Sequence, residues 1–209
     1  FLWRWKEFID RGFMRRFRRI GYMKKAQKIK TEAMACTGCA AKLPAQTLRA
    51  ALSQADLSNL GSEPEDAAFV AVTPNNESIF QSIDGFPALI SDPWLNGRLT
   101  TLHACSDLWA MGARVFSAQA VITLPSVSVS IQQELLAQSL GGIQSALKAQ
   151  GAELIGGHTL EARSAAPQPI SLGIQIALCI NGSLSKGSIP WGKGGFQLGD
   201  ELLISRGLG

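Results

Sequence analysis

The sequence predicts an α/β or α+β fold, and two observations predict it. Short apolar strand-like runs alternate with helically spaced apolar stripes over most of the chain, and turn formers punctuate the junctions. In order, residues 1–30 read as a basic helix, with Leu2, Trp3, Phe8, Ile9, Phe13, Phe17 and Ile20 at helical spacing, and 24–35 as a linker. Pro44 suits the first turn of a helix whose stripe is Leu48, Ala51 and Leu52. Residues 67–72 and 78–83 read as strands joined by a turn at Thr73-Pro74-Asn75-Asn76. A patterned helix follows at 97–112, with Leu99, Leu102, Cys105, Leu108 and Met111 in register and Gly112 as its stop. Next come a strand at Val115–Leu124, a helix at Ser130–Gln150, a strand at Glu153–Ile155, a turn at Gly156-Gly157, and strands at Ile170–Ile180 and Glu201–Ser205.

The 209 residues suffice for one good core with appendages. No apolar run reaches the roughly 20 residues that span a bilayer, and no signal peptide is recognisable at the start. The net charge of +4 hides two different objects. Residues 1–30 hold 11 Lys/Arg and 2 Asp/Glu, whereas the other 179 residues hold 9 basic and 14 acidic groups. Three readings of the basic segment stay open: the end of a preceding domain packed on its own body, a peripheral membrane contact, and a nucleic-acid contact. The four cysteines are not the pattern of a small disulfide-stapled domain, which favours the cytoplasm. The chain begins with Phe and stops at Gly207-Leu208-Gly209, so both ends read as cuts within a longer protein.

Four groups of residues can carry chemistry. In Cys36-Thr37-Gly38-Cys39-Ala40-Ala41-Lys42, small residues surround a thiol and an ammonium follows three positions later. A nearby ammonium favours the thiolate and can neutralise phosphate charge. The Cys36–Cys39 spacing is also half a zinc site, but Cys105, Cys179, His103 and His158 do not form a second tight pair. Glu65 and Asp66 stand just before a strand, and Asp84 just after one. Asp107 lies on a largely apolar helix, where a carboxylate needs a partner or a metal. Three such carboxylates could hold Mg²⁺ together with phosphate oxygens. Last, Gly156-Gly157-His158-Thr159 offers close approach to a phosphate or ribose, although taken alone a structural Gly-Gly turn is the default reading. No Walker A, GxGxxG or kinase signature is present.

In this order and spacing, residues 34–209 resemble the selenophosphate synthetase (selenide, water dikinase) family. The resemblance is carried by Cys39-Ala-Ala-Lys42, Glu65-Asp66-Ala-Ala, Ser82-Ile-Asp84, Asp92-Pro93 with Gly97-Arg98, Ser106-Asp107 through Gly112, Gly156 through Thr159, and Gly199-Asp200 through Gly209. The Asp107 and Gly156 segments are shared with the wider superfamily of aminoimidazole ribonucleotide synthetase, thiamine-monophosphate kinase and a hydrogenase maturation protein. Cys39 with Lys42 points to the selenium branch. The resemblance implies a mixed sheet packed on helices, and an ATP-dependent phosphotransferase that converts selenide and water to selenophosphate, AMP and phosphate. By position it implies Cys39 and Lys42 as catalytic, Lys42, Glu65, Asp84, Asp107, Gly157, His158 and Thr159 as ATP-binding, and Asp66 and Asp107 as Mg²⁺ ligands. It also implies a homodimer formed through the sheets, with no nucleic-acid partner.

Residues 1–30 resemble the C-terminal end of an NADH-dehydrogenase-like oxidoreductase, whose FAD would lie in an upstream domain outside this chain. The implied organisation is 1–30 as that end, 31–43 as linker and flexible Cys/Lys loop, 44–198 as the ATP/Mg-binding domain, and 199–209 as the start of a truncated C-terminal domain. Three positions depart from the family pattern: Ser91 where an acid is common, His103 where Asn is usual, and Arg206 where Lys is expected.

Overall fold

The structure, a computed structural model, describes residues 42–61, 65–162, 172–195 and 197–203. The basic segment 1–30, Cys36, Cys39 and Arg206 lie outside the described residues.

The elements run α1 (Ala45–Gln54), a 3₁₀ turn (Ser58–Gly61), β1 (Ala68–Val72), β2 (Ser78–Pro87), α2 (Pro93–Ala110), β3 (Arg114–Pro125), α3 (Val129–Lys148), β4 (Glu153–Ala162) and β5 (Gln175–Leu184). The strands form one sheet in the order β1-β2-β5-β3-β4. The β1–β2, β2–β5 and β5–β3 pairs are antiparallel, and β3–β4 is parallel with α3 as its crossover. The expected mixed sheet packed on helices is therefore observed.

Local chemistry explains the boundaries. Asp92 caps α2 by accepting from Leu95 N at 2.8 Å, and Pro93 occupies the first turn, where its missing N–H is harmless. Gly112 leaves the helix at φ +75°, a conformation that costs glycine little. In the β1–β2 hairpin, Thr73 N donates to Glu77 O at 2.9 Å and Asn76 takes φ +66°.

Period-two alternation gives the sheet a helix-facing side and an open side. β5 buries Ile176, Leu178, Ile180 and Leu184 on the side covered by α2, next to Ala118, Ala120 and Ile122 of β3, over which α3 also packs. From the helices, Cys105, Leu108, Leu135, Ile143 and Leu147 complete the core. Each fully buried Leu or Ile contributes about 1.5–3 kcal/mol. The open side carries Ile83, 75 % exposed, in register with Cys179, and Val121 in register with Ala177 and His158.

Several expectations are corrected. Gly156-Gly157 is not a turn: it lies inside β4, which runs on to Ala162. β2 extends to Pro87, so Asp84 is within the strand and not after it. Residues 201–203 are not strand. Pro44 occupies the cap of α1 and not its first turn, and no α1 residue is buried, so the Leu48 stripe is not core. Of the expected α2 stripe, Cys105, Leu108 and Met111 are buried, but Leu99 is exposed, and the first half of the buried face runs through Asn96, Gly97, Thr100, Thr101 and Ala104.

Candidate functional site

Two periodicities meet where α2 crosses β2. On the strand, Ser82, Asp84 and Phe86 share the helix-facing side at a spacing of two. On the helix, His103 and Asp107 share one face at a spacing of four. Ser82 Oγ donates to Asp107 Oδ2 at 2.8 Å. His103 Nε2 lies 2.8 Å from Asp84 Oδ2, and the His103 ring meets Phe86 edge-on with centroids 5.3 Å apart. Gly85 N donates to the other Asp84 oxygen at 2.7 Å. Both carboxylates are half-buried, so this is an anionic pair whose charge is oriented by donors on two elements.

A second acidic position lies beyond the C-terminal end of α2. Asp66 Oδ1 pairs with Lys193 Nζ at 2.9 Å, and Ala67 N donates to Met111 Sδ at 3.2 Å. The same end of the helix is met by Trp191, whose N–H donates to Met111 O at 3.2 Å. Glu65 is exposed, and so is Lys42 just ahead of α1.

The glycine-rich segment stands elsewhere. β5 and β3 separate β2 from β4, a span of about 14 Å at the usual strand spacing. Gly157 has a steric reason to be glycine, because a Cβ there would run into Ala120 O of the neighbouring strand. Gly156 has no such reason, since a Cβ there would meet nothing nearer than Gln119 at 3.8 Å. Thr159 lines a cleft of about 490 Å³ between α3 and the end of β4, together with Leu124, Gln132, Leu136, Leu160 and Glu161.

Of the predicted site residues, Asp84 and Asp107 are thus brought together. Asp66 and Glu65 lie beyond the C-terminal end of the same helix, the end whose last turn carries Asp107, and Gly157, His158 and Thr159 lie at the opposite edge of the sheet. Sequence reasoning missed Ser82 as the partner of Asp107, although a residue two before Asp84 necessarily shares its face. It missed Lys193 altogether, and nothing in its Gly-rich surroundings signals a role.

Among the described residues no cluster of three or more His, Cys, Asp or Glu could hold a metal ion. The site therefore does not fit a protein-only metal cage. Mg²⁺ commonly needs only one or two carboxylates when phosphate oxygens complete its shell, and Asp66 or Asp107 meets that requirement. The Cys105 thiol, on the buried face of α2, is pushed up to about 11 by burial, which the hydrogen bond from Gln150 Nε2 partly offsets, so burial favours its neutral form. No helix among the described residues is long and apolar enough to cross a membrane.

Comparison with known proteins agrees with this fold. The family described as AIR synthase related protein, N-terminal domain, matches residues 64–178. A selenide, water dikinase of Clostridioides difficile (strain 630) is 29% identical over 193 residues, covering 90% of this chain and 52% of its own length. Another, from Nitratidesulfovibrio vulgaris (strain DSM 19637 / Miyazaki F), is 32% identical over 145 residues, 69% of this chain and 38% of its own length. The chain thus spans about half or less of these relatives. Among solved structures, AaThiL complexed with AMPPCP and TMP superposes with a TM-score of 0.56 at 19% identity, covering 76% of this chain and 48% of that one.

Proposed function

This chain belongs to the AIR synthase related protein family, and from that premise we propose that it supplies the nucleotide-handling part of a selenide, water dikinase. The reaction takes ATP, selenide and water to selenophosphate, AMP and phosphate. The observation that carries this reading is the joining of Ser82 and Asp84 with His103 and Asp107 in one oriented anionic site, in a chain similar over 90% of its length to a protein of that name.

Phosphoryl transfer depends chiefly on positioning and on neutralising charge. In the proposed arrangement Asp84 and Asp107 border the nucleotide, and Glu65 lies beside it. Asp66 and Asp107 are the carboxylates for Mg²⁺, which when bound offsets the phosphate charge that these acids would otherwise repel. Lys42 contacts phosphate, and Cys39 handles the selenium. Gly157, His158 and Thr159 contact nucleotide too. Their distance from Asp84 within one chain favours a second copy that brings its β4 edge to the site, and the open side of the sheet, with Ile83 and Val121 exposed, is the surface for that homodimer. Residues 44–198 form the ATP domain in this proposal and 199–209 open the next one. Residues 1–30 come from an upstream flavoprotein domain that would carry FAD, and a reducing cytoplasm suits the Cys39 thiol.

The test is anaerobic turnover by the full-length protein, with nucleotide products separated by chromatography and selenophosphate read by phosphorus NMR. AMP should appear only when selenide is present, and Cys39→Ala should abolish it. Release of ADP without selenide would sink the selenium assignment and favour another phosphotransferase of the same superfamily.

A further inference from the structure

We propose that His103 is a positioning residue: it holds the Asp84 carboxylate in the orientation that receives nucleotide. This rests on the functional reading above and adds a residue to it. The Asp84 carboxylate is gripped from two directions. Gly85 N donates to Oδ1 at 2.7 Å, and His103 Nε2 donates to Oδ2 at 2.8 Å.

The strand side of this grip is rigid. A Cβ at Gly85 would collide with the Ala177 backbone of β5, so the chain at Gly85 is pressed against its neighbour and its N–H has a fixed direction. The helix side is fixed by packing. The His103 ring meets Phe86 edge-on, and Phe86 stands two residues beyond Asp84 on the same side of β2. The imidazole is therefore clamped by the strand whose carboxylate it orients.

An exposed ion pair would contribute little. Here the two side chains are only 32 % and 26 % exposed, so both have given up much of their hydration and most of their rotational freedom before any ligand arrives. A carboxylate already ordered in this way loses less entropy on binding than a free one, which is the general basis of preorganisation. His103 acts through Asp84, and its removal leaves the carboxylate charged but free to turn.

Isothermal titration of the full-length protein with the ATP analogue AMPPCP tests this, using the wild type, His103→Leu and His103→Gln. The glutamine amide keeps a donor at similar reach and leucine keeps only bulk. His103→Leu is expected to weaken AMPPCP binding about tenfold, while His103→Gln stays within about threefold, the scale on which loss or rescue of an orienting partner acts. Circular dichroism melts establish that both variants fold. Independently of any ligand, the imidazole ¹⁵N resonances of His103 should shift on Asp84→Asn. If His103→Leu binds like the wild type, or if His103→Gln falls as far as His103→Leu, the positioning role is overturned alone. If the wild type takes up no AMPPCP, the functional reading falls, and the positioning role falls with it.

Discussion

Gly142→Ala sets two opposing effects against each other on α3, and the structure decides between them. Replacing glycine by alanine inside a helix is worth about 1 kcal/mol of helix propensity, so an isolated α3 would gain from the change. At Gly142, however, a Cβ would run into Trp94 O and approach Arg98 N to 2.9 Å, both backbone atoms of α2. Backbone cannot rotate out of the way. Relief requires the two helices to separate, and overpacking of this kind costs about 1–3 kcal/mol, with backbone clashes at the upper end. The expected net loss is about 2 kcal/mol, which lowers Tm by about 4–8 °C for a chain of this size. Gly141→Ala is the internal control. Its Cβ would meet only the edge of the Trp94 ring at 3.3 Å, a side chain that can yield, so the propensity gain should survive there. Thermal and urea melts of the wild type and the two variants measure both. If Gly142→Ala were as stable as Gly141→Ala, the close helix crossing would be refuted as the reason for glycine.

Two further predictions concern the core. Leu178→Ala removes a fully buried side chain at the centre of the sheet and should cost about 3 kcal/mol, read as a fall in the urea midpoint at unchanged m-value. Cys105 should resist iodoacetamide at pH 8 in the native protein and react once urea unfolds the chain, as mass spectrometry would report. Because folding raises the Cys105 pKa from 9.0 to about 11, its neutral thiol supports the fold in full below pH 9, and that support is lost as pH rises through 11. A Cys105→Ala variant should therefore show a flatter decline in stability across pH 9–11 than the wild type.

Elements with a strong periodic signal were legible from residues alone. α2, α3 and β3 lie within a few residues of their expected bounds because their apolar spacing and caps agree with one another. What the sequence hid was decided by distant partners. Gly156-Gly157 reads as a turn by local chemistry, yet the glycine at 157 serves the tight approach of β4 to β3, a contact that no local pattern announces. The carboxylates Asp84 and Asp107 were legible as chemistry because acids are rare amid apolar residues. Their donors were not: Ser82, His103 and Lys193 are ordinary polar residues until the fold sets each beside an acid. The Leu48 stripe had helical spacing and formed its helix, but spacing alone does not supply a surface to pack against.

The sheet's central strand is also the last of its five in the chain. β2 finds its partner about a hundred residues downstream, as in the hydrogen bond from Gln81 to Asn181, and β3 lies beside that same strand. During synthesis, β2, α2, β3, α3 and β4 must therefore all emerge before the strand that joins them, with their apolar faces waiting. The β1–β2 hairpin and the β3-α3-β4 unit can each take shape early, but they remain two pieces until residues 175–184 arrive between them. Such late, long-range closure slows folding and lengthens exposure to aggregation. A ribosome stalled before residue 175 should hold a chain with at most partial protease protection within those two pieces, and full protection should arise once β5 has cleared the exit tunnel.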